Sequence, residues 1–237
     1  MSRVRLLVMV MVAALVVGIG ATLIVTDRFD AAASPEAVRT MLDELSVKGR
    51  APKTGYARSQ FGTAWDDDVS VAGGHNGCRT REDILRRDLT NVVLLPGGCR
   101  VLTGTLYDVY TGRTVQFVRG QSSSVLVQID HVVPLSDAWQ KGAQQWSADK
   151  RRDFANDPRN LQAVEGSVNQ QKGDGDAATW LPPNKAYLCT YVERQIVVKN
   201  VYGLWVTQAE KDAMARILAT CGADGARQNG NSLAGLQ

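Results

Sequence analysis

The chain has only two histidines, His75 and His131, among its 237 residues. Its four cysteines, Cys78, Cys99, Cys189 and Cys221, form no CxxC pair. A zinc-finger reading therefore lacks both the ligands and their spacing. Proline is scarce at seven, and the 22 glycines follow no short period, which excludes collagen-like, linker-array and solenoid architectures. Net charge is small as well, +3 in all, and Arg3, Arg5 and Arg28 against Asp27 and Asp30 account for +1 of it. So slight an excess excludes a strong general attraction to polyanions, and any nucleic-acid contact must rest on a local basic surface. The acidic turn Gly173-Asp174-Gly175-Asp176 lacks the spacing and terminal Glu of an EF-hand loop.

What is present begins with one long apolar run. Leu6 to Val25 carries no charge over twenty positions and follows Arg3 and Arg5. At about 1.5 Å per residue such a run crosses a hydrocarbon core of about 30 Å. The basic side stays inside, so the rest of the chain is expected outside the cytoplasm. Ala31-Ala32-Ala33 resembles a cleavage site, but the run exceeds a usual signal h-region, and an uncleaved anchor is favoured over a cleaved signal peptide. The protein is thus expected to be secreted or anchored on the outer face of the cytoplasmic membrane. An even cysteine count in an oxidising compartment implies two disulfides, with Cys78–Cys99 and Cys189–Cys221 favoured because each closes a local loop.

With 44% hydrophobic and 22% charged residues the remainder reads as globular. Residues 1–33 form the signal peptide or anchor, 34–55 a short helix and linker, 56–221 one α+β domain and 222–237 a Gly/Asn/Gln-rich disordered tail. Ser34-Pro35 reads as an N-cap and first helical residue, and Thr207-Gln208-Ala209-Glu210 as a capping box. Phe61 and Trp65 are core anchors in an irregular stretch, and Thr80 to Leu89 is helical. Alternation from Val101 to Tyr107, a turn at Tyr110 to Arg113 and a return over Thr114 to Val118 make a hairpin. Val125 to Val133 is β-rich, Asp137 to Phe154 is helical, and Asn184 caps a helix to about Asn200.

The chemistry concentrates in Ile129-Asp130-His131-Val132-Val133-Pro134-Leu135-Ser136, then Asn160, Asn169 and Lys172. An acid beside a histidine at a strand end places a ligand for a hard cation next to a general base. Neighbouring strand residues point to opposite faces, so convergence of Asp130 and His131 requires a bend near them. A further Asn can supply a second oxygen ligand for an ion such as Mg²⁺ that keeps several waters. Beside these, His75, Asp66-Asp67-Asp68 and Lys150-Arg151-Arg152 read as loop and solvated surface.

This pattern resembles the HNH (His-Me finger) endonuclease superfamily. It is most similar to the branch at the C-terminal end of GmrSD-type restriction enzymes, in a small exported form. IDHVVPLS, Asn160 in PRNLQAV, Asn169 nine residues later and Lys172 three beyond that carry the resemblance, and FGTAW, NGC, TGTLYDVYTG and YGLWVT support it over about residues 56–221. The resemblance implies an α+β fold with a ββα-metal core, an added β hairpin and extra helices. It makes His131 the general base, Asp130 and Asn169 the ligands of Mg²⁺ or Mn²⁺, Asn160 the residue that holds the loop and orients the histidine, and Lys172 a phosphate-contacting cation. The stretch from His131 to Asn160 is long for the family and reads as an inserted helix. The expected substrate is nucleic acid, DNA ahead of RNA, cut with little sequence preference. The membrane is a further partner if the N-terminal helix stays uncleaved, and no protein partner is expected. The rival reading is a catalytically silent cell-surface binding module.

Overall fold

The computed structural model describes residues 34–120 and 125–221. The apolar run from Leu6 to Val25 and the tail 222–237 lie outside the described residues. Among the described residues no helix is long and apolar enough to cross a membrane.

The order is α1 (Pro35–Glu44), α2 (Thr80–Asp88), β1 (Leu89–Leu94), β2 (Val101–Tyr107), β3 (Thr114–Val118), β4 (Val127–His131), α3 (Leu135–Gln140), α4 (Ala148–Asn156), β5 (Leu161–Glu165), α5 (Gly166–Lys172), α6 (Leu188–Tyr202) and α7 (Gln208–Thr220). The fold is α+β. Strands β1, β2 and β3 make one antiparallel sheet, and β4 with β5 makes a second. The caps read from the sequence close their helices: Ser34 Oγ accepts from the Ala37 N–H, and Thr207 Oγ1 accepts from that of Glu210. The expected hairpin pairs Tyr107 with Thr114 and Thr103 with Val118.

Two expectations need correction. The stretch 137–154 is not one helix but α3, a 3-10 turn over Ala143–Gln145, and α4. Gly142 breaks it at φ 129°, a conformation that only glycine adopts freely, and Ser147 then caps α4 by accepting from Lys150 N–H. Strand β1, unannounced in the sequence, follows α2 without a spacer and pairs with β2.

Two apolar clusters flank the β4–β5 pair. Ile84, Leu85, Leu106, Phe117, Val127, Ile129, Leu161 and Ala163 pack between α2 and the sheets. Phe61, Val133, Trp139, Phe154, Val198 and Tyr202 fill the space among the helices. Gly166 is required at the turn from β5 into α5, because a Cβ there would lie 2.0 Å from the Val125 carbonyl. Its N–H donates to Leu126 O at 2.9 Å, which ties the end of β5 to the entry of β4. Both disulfides expected from the sequence are present, Cys78–Cys99 on the sheet side and Cys189–Cys221 clamping α6 to α7.

Candidate active site

Strand alternation decides where each side chain of β4 goes. Val127, Ile129 and His131 lie on one face, while Gln128 and Asp130 lie on the other. Pairing with β5 stays in register through His131 and Leu161, so β4 does not bend at Asp130-His131. The convergence expected of these two side chains is not found. Each enters its own environment.

On the face toward α5, Asn169 and Lys172 are three residues apart on one side of that helix. They meet Gln128 and Asp130, two residues apart on β4. The Asn169 amide donates to Gln128 Oε1 at 2.9 Å, and Lys172 Nζ donates to Asp130 Oδ1 at 2.9 Å. Lys172 Nζ also donates to the His131 carbonyl at 2.8 Å, and its side chain is fully buried. The Lys172 ammonium is thus turned inward onto Asp130 and the His131 carbonyl. Asp130 Oδ2 accepts from the Tyr110 hydroxyl at 2.6 Å. Burial, then the Asp130 charge, push the Tyr110 hydroxyl well above the usual tyrosine range, so it keeps the proton it donates.

On the other face the His131 ring is fixed by two neighbours. Its Nε2 lies 2.9 Å from the Ala155 carbonyl, which can only accept, so the proton sits on Nε2 and Nδ1 keeps its lone pair. Trp65 stacks on the ring with centroids 5.7 Å apart and planes 13° from parallel. Burial lowers the imidazole from its ordinary value to about 3, with the Arg58 and Lys172 charges pushing the same way and the Ala155 bond opposing. His131 is therefore neutral at pH 7. The ring lines a cavity of about 40 Å³ together with Arg58, Phe61, Gly62, Thr63 and Trp65.

Asn160 is fully buried just before β5 and holds the chain after β4. Its Oδ1 accepts from the Val133 N–H at 2.8 Å, and its Nδ2 donates to the Val133 carbonyl at 3.3 Å. Val132 N–H donates to the Asn160 carbonyl at 2.7 Å. This locks residues 131–133 against β5 and so sets the plane of the His131 peptide.

Whether a hard cation suits this donor set follows from Asp130. A carboxylate has about four acceptor positions, and Lys172 and Tyr110 occupy one on each oxygen. Asn169 stands one rung away on the same layer with an amide oxygen. One carboxylate and one amide oxygen are the ligand types that Mg²⁺ or Mn²⁺ accepts alongside water. The donors fit in kind. Among the described residues no group of three His, Cys, Asp or Glu side chains gathers as a metal cluster.

Three members of the site escaped the sequence. Tyr110 read only as a turn residue, Trp65 only as a core anchor, and the Ala155 carbonyl carries no side-chain signal at all.

The family model described as "GmrSD restriction endonucleases, C-terminal domain" matches residues 79–217. A protein from Arthroderma benhamiae described as an uncharacterized secreted protein is 42% identical over 190 residues, covering 79% of this chain and 86% of the relative. No solved structure matches the chain. The chain belongs to the GmrSD restriction endonuclease C-terminal domain family.

Proposed function

We propose that this family member is an exported metal-dependent endonuclease that hydrolyses nucleic-acid phosphodiester bonds, with β4, β5 and α5 as its ββα core. One observation carries the reading: His131 is a neutral imidazole whose Nε2–H is fixed on a backbone carbonyl and whose Nδ1 keeps a lone pair. The free lone pair on Nδ1 is what a general base requires; the burial that lowers the ring to about 3 works against it, and the negative charge of a bound phosphate would raise it again. Asp130, one residue away on the opposite face of β4, supplies with Asn169 donors of the kind a hard cation takes, so the scissile phosphate would have to lie across the end of the strand to reach both.

In this mechanism His131 Nδ1 takes a proton from the attacking water, while the Ala155 carbonyl and Trp65 hold the ring at a fixed angle. Asp130 and Asn169 would hold a divalent cation, Mg²⁺ or Mn²⁺, which would supply stabilisation of charge on the phosphate and the leaving oxygen. Lys172 and Tyr110 hold the Asp130 carboxylate in one orientation. Asn160 keeps the loop after β4 closed so that His131 does not swing away. General-base assistance of this kind typically contributes about 10²–10⁴-fold.

The description of the Arthroderma relative as secreted supports export, in line with the apolar run at Leu6 to Val25. DNA is the preferred substrate from the superfamily, and RNA is the second candidate, since the sequence shows no feature that tests for the 2′-hydroxyl. The test is nicking of supercoiled plasmid by the full oxidised chain, with Mg²⁺ or Mn²⁺ and with EDTA, beside a structured RNA. Nicking that EDTA abolishes is expected. A folded chain that cuts neither substrate with either ion overturns the reading in favour of a silent binding module.

A further inference from the structure

The sequence-predicted site residues, Asp130, His131, Asn160, Asn169 and Lys172, lie within residues 79–217, the stretch the family model matches. Yet both cavities beside them are walled in part by a segment that precedes this stretch, residues 50–65. Arg58 and Trp65 line the small cavity with His131. Arg50 and Lys53 line a larger one, about 480 Å³, with Gln140, Gln171, Lys172 and Trp180.

The segment is pinned at intervals. Arg50 pairs with Asp137 at 2.9 Å and with Asp176 at 2.7 Å, both nearly fully buried carboxylates. Ala51 N–H donates to Gln140 O at 2.9 Å, and Trp139 Nε1 donates to Thr54 O. Tyr56 and Phe61 pack on Trp139, and Phe61 also packs on Phe154. Arg50 is thus an anchor. The two other cations of the segment face outward.

Those two cations are differently placed. Arg58 is exposed, and no carboxylate among the described residues lies within ion-pair distance of its guanidinium. Lys53 pairs with Asp174 at 3.0 Å, both side chains being about half exposed, and its ammonium lies 5.4 Å from the centre of the Tyr56 ring. An exposed pair of that kind is worth little, and a phosphate readily takes the place of the carboxylate. A rigid strap that presents one unpaired guanidinium beside the general base, and a weakly paired ammonium in the adjoining cavity, has the form of a backbone-binding track.

We propose that residues 50–65 are the substrate-binding arm of the site, in which Arg58 holds the phosphate presented to His131 and Lys53 holds a neighbouring phosphate of the same strand. The inference rests on the nuclease reading and adds to it the element that grips the substrate. Contacts of this type fix position on the backbone and carry no sequence preference. The small net charge of the chain is consistent with this, since two local contacts need no bulk excess.

The experiment is binding of a fluorescently labelled DNA duplex to the full chain in EDTA, where no cutting intervenes, over a salt series. Each phosphate contact contributes about 0.9 to the slope of log affinity against log salt. Arg58→Ala and Lys53→Ala should each lower that slope by about 0.9 and weaken binding about tenfold, the usual loss for one charge-assisted contact. Arg58→Lys should keep the slope, and Arg216→Ala on α7 should change nothing. Thermal melts confirm that each variant folds, and Arg58→Gln replaces Arg58→Ala if the latter does not. Unchanged slopes in the Arg58 and Lys53 variants, with plasmid nicking intact in the unaltered chain, remove the strap and leave the nuclease reading standing. Lowered slopes without nicking by the unaltered chain remove cleavage and leave the strap as a binding arm. No binding by the unaltered chain overturns both.

Discussion

Trp65 lies flat on the imidazole of His131, 66 residues away in sequence, with their ring planes 13° from parallel. The stack completes the burial that holds His131 at about 3. Trp65 itself sits at φ 58°, a conformation uncommon outside glycine, so the surrounding chain holds this indole in place.

The first prediction concerns that cover. Trp65→Ala should admit water to His131 and move its midpoint upward toward about 6.5, the ordinary imidazole value. With only two histidines in the chain, NMR titration of the ring protons without metal resolves the change. In the unaltered protein the His131 signal should not titrate between pH 5 and pH 8.

The second concerns the buried pair of Asp130 and Lys172. Lys172→Met leaves a carboxylate buried without its counter-ion and should destabilise the fold by about 3–5 kcal/mol. Adding Asp130→Asn should recover part of that loss. Denaturant melts of the two single variants and the double variant measure the coupling, and strict additivity would contradict the pairing.

The third is an acid transition. Burial opposes ionisation of Asp176, but the hydrogen bond and charge of Lys141, with the charge of Arg50, outweigh it and hold the carboxyl at about 2. A group with a lowered folded value stabilises the protein fully above its unfolded value of about 3.8. That stability is lost as pH falls from about 4 toward 2. Asp176→Asn should lower Tm at pH 7 and flatten its decline over this window.

The fourth concerns the disulfides. By loop entropy each contributes about 3–4 kcal/mol, slightly more for Cys189–Cys221, whose separation is 32 residues against 21 for Cys78–Cys99. Cys189→Ser with Cys221→Ser should cost more stability in denaturant melts than Cys78→Ser with Cys99→Ser.

Local chemistry was legible in the sequence wherever the cause is local. Ser34 and Thr207 cap because their hydroxyls reach N–H groups three residues on, and the 101–118 hairpin announces itself by alternation around a Gly turn. The residue types of the site, Asp130, His131, Asn160, Asn169 and Lys172, were legible from their spacing. Their grouping was not. Strand alternation sends His131 away from Asp130, and what each then meets comes from distant segments: Trp65 and Ala155 for one, Tyr110 and Lys172 for the other. Strand β1 was hidden because Leu89 follows α2 directly and owes its extended form to pairing with β2.

The assignment of His131 as the base is the centre of the account. The most direct measurement is plasmid nicking by His131→Ala beside the unaltered chain, both oxidised and both shown to be folded, in Mn²⁺. Loss of nicking by at least about 10²-fold with retained duplex binding is the predicted result. Nicking at the unaltered rate by the folded variant would contradict it.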